Sequence, residues 1–154
     1  NAATITSTLY LGGGSDTVTV DGGGTSAHTL IYGATALNAG DIKAGDSSTL
    51  ALTGVAAGDT VTLNFTAALE ALLKSGSTLL SATGANIDVD GTTISATTNI
   101  AAAQAGGTMT LQIDINGDGS YVAADDWQLT ITGTGTDDTL IYNASTDTLV
   151  FTVV

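Results

Sequence analysis

Apolar residues in this chain recur at every second position, segment after segment, and that period dictates sheet structure. The alternation runs through Thr4 to Leu11, Asp16 to Val20, His28 to Tyr32, Thr49 to Thr53 and Thr60 to Phe65. It returns in Asn86 to Asp90, Thr108 to Asp114, Trp127 to Thr132, Thr139 to Tyr142 and Asp147 to Val153. A period of two gathers the apolar side chains on one face of a strand, and Thr, Val and Ile suit a pleated, half-buried surface. Glycine clusters and Asp/Asn/Gly turns punctuate the segments, with Gly54 to Gly58 and Asp90-Gly91 as tight turns. The expected fold is all-β: a mostly antiparallel β-sandwich with one short capping helix, built as a single domain over residues 1–154.

Two segments break the alternation. Ala67 to Lys74 places Leu69, Leu72 and Leu73 at helical spacing, with Lys74 in the last turn and Gly76 as a stop, which predicts the helix. Asn99 to Gly106, rich in alanine, reads as a further turn or two of helix.

The charge balance narrows the partners. Lys and Arg together number 2 against 15 Asp and Glu, for a net charge of -13. Nucleic acid and anionic membrane surfaces need a basic face, which this chain lacks. The long uncharged run from Gly91 to Ile113 is too rich in Thr, Gly and Gln to insert in a bilayer. With no cysteine there is neither a disulfide framework nor a thiolate metal site. One-sided charge repels itself, and a divalent cation relieves it.

One stretch is built to supply that cation. Asp114-Ile-Asn116-Gly-Asp118-Gly119-Ser120-Tyr-Val-Ala-Ala-Asp125 fits the calcium-loop spacing D-x-[DN]-x-[DN]-G-x5-[DE]. Calcium is a hard cation that takes six to eight oxygen ligands. Asp114, Asn116 and Asp118 offer side-chain oxygens, Ser120 its carbonyl, and Asp125, with Asp126 beside it, closes the loop. Asp in place of the usual Glu at the last position shortens the reach and weakens the site. Because strand-like segments flank it, this EF-hand-like loop joins strands and reads as a structural clamp on Ca²⁺, not a sensor that opens a helix pair. Asp16, Asp21, Asp41, Asp46, Asp137 and Asp138, beside glycines, are candidates for a second acid site or simple Asp-Gly turns.

The stretch from Leu11 to Val18, Leu-Gly-Gly-Gly-Ser-Asp-Thr-Val, resembles the nonapeptide G-G-x-G-x-D-x-U-x of the RTX family, with Leu11 where the first glycine belongs. Asp138-Thr-Leu-Ile-Tyr142 and Asp147-Thr-Leu-Val-Phe151 are similar to strand phrases around such repeats. The resemblance covers about a quarter of the chain. RTX proteins are bacterial exoproteins exported by type I secretion, so it implies secretion, folding on extracellular calcium, and a place in an adhesin, biofilm or surface layer. It also makes a partial RTX-like roll the second fold candidate. Thr29-Leu-Ile-Tyr32 repeats as Thr139-Leu-Ile-Tyr142, either a duplicated hairpin or two equivalent edge strands.

Candidates for catalysis are few. His28, the sole histidine, reads as an exposed edge-strand residue, and Asp125-Asp126 and Asp137-Asp138 as turn or metal carboxylates, so no enzyme is expected. Trp127, in phase with Leu129 and Ile131, reads as a core anchor; with Tyr121 it forms the alternative, a sugar-stacking platform. The expected function is a calcium-stabilised structural subunit of an extracellular bacterial assembly, a surface layer, filament or biofilm matrix. Its partners are copies of itself or other surface proteins, joined through strands reaching both termini. The alternative is an adhesin domain that binds glycan beside the calcium loop.

Overall fold

A computed structural model describes residues 5–11, 14–21, 26–32, 42–64 and 67–154. The strands in chain order are β1 (Ile5–Leu11), β2 (Thr17–Asp21), β3 (Ser26–Tyr32), β4 (Ser47–Thr53) and β5 (Thr60–Asn64). After one turn of helix, α1 (Ala67–Glu70), come β6 (Lys74–Ser75), β7 (Thr78–Leu79), β8 (Ile87–Asp88) and β9 (Ile100–Ala105). The last four are β10 (Thr108–Ile113), β11 (Trp127–Thr132), β12 (Thr139–Asn143) and β13 (Thr148–Thr152). One sheet has the order β1-β3-β5-β13-β12-β8, the other β2-β4-β11-β10-β9, and β6-β7 form a small separate ribbon.

Both large sheets contribute to one core. Along β10, β11, β12 and β13 every second residue is buried, as the alternation predicts. Leu50, Met109, Leu111, Trp127, Leu129 and Ile131 of one sheet share a hydrophobic cluster with Leu63, Leu140, Tyr142, Leu149 and Phe151 of the other. The fold is thus an all-β, mostly antiparallel sandwich.

Its first half has a different weave. Strands β1 to β5 alternate between the two sheets, so that β1, β3 and β5 run parallel in one and β2 and β4 run parallel in the other. The chain winds around the core as a coil, and β4 continues parallel into β11. From β8 onward the pairings are antiparallel.

One side of the sandwich is sealed. β8 pairs with β12, and the next residue, Val89, donates its N–H to Leu140 O at 3.0 Å and accepts Ala102 N–H at 2.9 Å. Asp90 bridges Ala102 in the opposite sheet. Four residues therefore stitch both sheets together. On the opposite side, β1 and β2 have no strand partner on their outer flanks among the described residues.

Several expectations need correcting. Ile100 to Ala105 forms strand β9, not helix. Alanine's helix propensity is a weak preference, and here Ile100, Ala101 and Ala102 are all buried between β10 and the sealing segment. The helix expected over Ala67 to Lys74 keeps its first turn only. Asn99 takes over at its end, accepting Lys74 N–H at 2.6 Å and donating to Leu72 O at 2.8 Å. One side-chain amide thereby stands in for a helical neighbour and turns the chain into β6. His28 lies on β3, paired on both flanks by β1 and β5, and so is not on an edge strand. The two Thr-Leu-Ile-Tyr phrases sit in β3 and β12 of the same sheet, both interior. The C-terminal strand β13 is interior as well, between β5 and β12, so it offers no free edge. No helix among the described residues is long and apolar enough to cross a membrane.

Candidate metal centre

The loop from Asp114 to Asp126 connects β10 and β11, neighbouring antiparallel strands with Ile113 paired to Trp127. Two buried carboxylates organise it from inside. Asp114, 1% exposed, accepts Gly117 N–H at 2.6 Å and Gly119 N–H at 2.9 Å. Asp126, 0% exposed, accepts Ile115 N–H at 3.0 Å and Val122 N–H at 2.7 Å. Such charge-assisted bonds are stronger than neutral ones, and together they fold the loop's beginning against its end. Asp125 N–H and Asp126 N–H both reach Val122 O at 2.9 Å, which makes a short turn before β11.

Between the two anchors the side chains form a relay of turns. Asn116 Oδ1 accepts Asp118 N–H at 2.8 Å, Asp118 Oδ1 accepts Ser120 N–H at 2.9 Å, and Asn116 Nδ2 donates to Asp118 Oδ2 at 3.2 Å. Asn116, Asp118, Ser120 and Asp125 are exposed. The donors on offer are all oxygens, which suits a hard cation. Among the described residues no group of three or more His, Cys, Asp or Glu side chains is placed to hold a metal ion. Any cation here has to draw on the Asn116 amide and backbone carbonyls as well as carboxylates.

Gly117 and Gly119 both adopt positive φ, at 74° and 85°. Gly117 stands in open space. A Cβ on Gly119 would lie 2.8 Å from Ala96 N and 3.2 Å from Ser95 C, because the tight Ser95–Thr98 turn lies against the loop. The spacing motif assigns this glycine to the bend; the contact with residues 95–98 was invisible in it.

Two further acid loops adjoin this one. Gly45 N donates to Asp126 O at 3.0 Å and Gln128 N to Asp46 O at 3.1 Å, tying the turn before β4 to the candidate loop. That turn in turn meets the one before β2: Asp46 Oδ2 accepts Gly14 N–H at 3.0 Å, Ser15 Oγ accepts Ser47 N–H at 3.1 Å, and Asp16 O accepts Thr49 N–H at 2.7 Å. Asp16 Oδ2 is buried with no hydrogen-bond partner among the described residues. Asp16, Asp46, Asp114, Asp118, Asp125 and Asp126 thus share one end of the sandwich, a convergence their sequence separation hides.

The remaining acid candidates serve as turn staples. Asp138, 1% exposed, accepts Gly135 N–H and Val154 N–H, and Asp21 accepts the Thr53 hydroxyl at 3.4 Å, both at the other end. Asp137 is exposed beside Asp138, and Asp41 lies outside the described residues. Trp127 is 1% exposed and fills the core, as its phase predicts, so its ring offers no face to a sugar. Tyr121 is partly buried; burial, helped by the Asp126 charge, pushes its phenol up.

A second cluster escaped sequence reasoning. Glu70 of α1 is 4% exposed and its Oε1 has no hydrogen-bond partner among the described residues. Burial first, and then the Asp147 charge, push its carboxyl above the usual range, opposed by a hydrogen bond with Tyr142. The Tyr142 phenol is driven upward by burial and by both carboxylates. Asp147 holds φ at 55° in the β12–β13 turn, a left-handed conformation more usual for Gly or Asn. The sequence signal was present but faint: the chain's sole glutamate, on the buried face of a short helix.

No protein-family model, curated protein or solved structure matches this chain.

Proposed function

We propose that this chain is a non-enzymatic structural module of a secreted bacterial surface assembly, a surface layer, filament or biofilm matrix, stabilised by Ca²⁺ and joined to copies of itself. The observation that carries the reading is the loop of residues 114–126. Its buried carboxylates hold a relay of turns that gathers Asp114, Asn116, Asp118 and Ser120 in one short loop, with Asp125 exposed after it. Asp126 braces the loop from beneath. A divalent cation there supplies positive charge to an end of the molecule crowded with carboxylates, where the chain has almost no basic side chains of its own.

Self-association is supported by the side where β1 and β2 have no outer strand partner among the described residues. β1 carries no charge and no proline, and β2 only its terminal Asp21. Charge and proline are devices by which sheet edges usually avoid pairing, and an uncharged edge invites another strand. Both free edges lie on the same side, so edge pairing closes at two copies. Growth beyond that needs the acidic end, with a cation between molecules.

Light scattering of the purified chain, titrated with CaCl₂ and reversed with EGTA, tests the reading, with circular dichroism in parallel. Reversible growth is expected. A chain that gains stability without growing leaves calcium as an internal clamp and removes the assembly. A chain indifferent to calcium removes both.

A further inference from the structure

The loop surrounds the peptide between Asn116 and Gly117, the sole Asn-Gly pair in the chain, with the groups an intramolecular cyclisation needs. The nucleophile is the Gly117 amide nitrogen, whose hydrogen is held by Asp114 Oδ1 at 2.6 Å, so a carboxylate stands in the position of a base. The electrophile is the Asn116 side-chain carbonyl, whose oxygen accepts the Asp118 backbone N–H at 2.8 Å. A fixed donor at that atom stabilises the negative charge that develops on it during attack. The leaving nitrogen, Asn116 Nδ2, is held by Asp118 Oδ2 at 3.2 Å. Both residues are exposed, and a Cβ on Gly117 would meet nothing within 4 Å, so nothing obstructs a five-membered ring.

We propose that Asn116–Gly117 is a self-modification site, where the folded loop converts the asparagine through a succinimide to aspartate and isoaspartate. Asp114 takes the Gly117 amide proton as the nitrogen bonds to Asn116 Cγ. The oxyanion on Oδ1 collapses, the Cγ–Nδ2 bond breaks, and the nitrogen leaves as ammonia with a proton returned through solvent. Water then opens the imide at either carbonyl. The balance is asparagine plus water to aspartate or isoaspartate plus ammonia, with no oxidant or cofactor. Each event adds one negative charge to the -13 of the chain. The isoaspartate product also routes the main chain through the side-chain carbon, which breaks the Asn116–Asp118 turn. The proposal shares Asp114, Asn116 and Asp118 with the calcium reading and describes the loop without a bound cation, so the test is run in EGTA; it uses only this chain and water.

The test compares conversion in the folded chain with conversion in the same chain unfolded in guanidinium, at one pH and temperature. Ammonia release, a gain of one mass unit and isoaspartyl methyltransferase labelling are the readouts. Faster conversion in the folded chain, confined to Asn116, is expected. Asp114→Asn slows it roughly a hundredfold, the lower end for a positioned base, and Gly117→Ala slows it by crowding the attacking residue. Equal or slower conversion in the folded chain overturns the proposal. That comparison needs no variant, so it decides the matter even where Asp114→Asn disturbs the loop.

Discussion

Replacing Gly119 by alanine measures how tightly the candidate loop is held to the rest of the sandwich, and Gly117→Ala supplies the control two residues away. Both glycines have positive φ, so each alanine carries the left-handed penalty of about 1–2 kcal/mol. Gly117→Ala carries little more, because its Cβ enters open space. Gly119→Ala adds a methyl 2.8 Å from Ala96 N and 3.1 Å from Ala96 Cα, both backbone atoms. They cannot swing aside: Ser95 and Thr98 exchange bonds of 2.8 and 3.1 Å, and Ser77 N–H holds Thr97 O at 2.8 Å. Overpacking against fixed backbone costs about 1–3 kcal/mol. The sum is about 2–5 kcal/mol for Gly119→Ala against about 1–2 for Gly117→Ala. Urea denaturation followed by the fluorescence of Trp127, the sole tryptophan, reads the difference directly beside the loop. With a slope of about 2 kcal/mol per molar urea, the two midpoints should differ by about 0.5–1.5 M at unchanged slope. Midpoints that coincide would refute the contact between Gly119 and residues 95–98, and with it the reasoning that this glycine serves packing as well as bend.

Three further outcomes are expected. In EGTA, Asp126→Ala destabilises the fold by about 2–4 kcal/mol, because two N–H groups lose a charged acceptor, while Asp118→Asn leaves the midpoint nearly unchanged and abolishes the calcium response; a calcium response retained in Asp118→Asn contradicts the loop assignment. Glu70→Gln removes a group whose folded pKa is raised, a contribution fully present below the usual value near 4.5 and lost as pH rises through the folded pKa. The variant therefore gains on the native chain from pH 4 to pH 7 in paired urea melts, and a native chain that gains on the variant over that range contradicts the sign. Finally, size-exclusion chromatography with light scattering in EGTA should find no species larger than two chains, and a charged residue at Thr8 in β1 should leave monomer alone.

The sandwich was legible because its alternation is nearly unbroken, and the calcium-type loop because its spacing is local. What was not legible depends on distant partners. Asn99 ends α1 from across the chain, and burial against the sealing segment makes a strand of the alanines in β9. The parallel coil of β1 to β5 is set by which strands lie side by side, which periodicity does not encode. Within the site, the spacing assigned Gly119 to the bend, where it holds a positive φ, but not the anchoring of the turn by a buried Asp114. The division between a buried Asp126 and an exposed Asp125 follows from the Ile115 and Val122 N–H groups that Asp126 accepts, and the approach of Asp16 and Asp46 to this loop follows from the parallel pairing of β2, β4 and β11.

The direction of the strands has a mechanical consequence. Ile5 begins β1, and Val154 follows β13, at the end of the sandwich opposite the acidic loops, since β1 runs parallel to β3 and β5 while β13 runs antiparallel to β5. Tension applied at these two residues pulls on one end of each strand and opens its bonds one after another, instead of loading a whole ladder at once. β1, held on a single flank, peels first from β3 and yields at low force. The carboxylate-rich end, remote from both loaded residues, stays folded while the other slackens, so the chain lengthens under load before that end is disturbed.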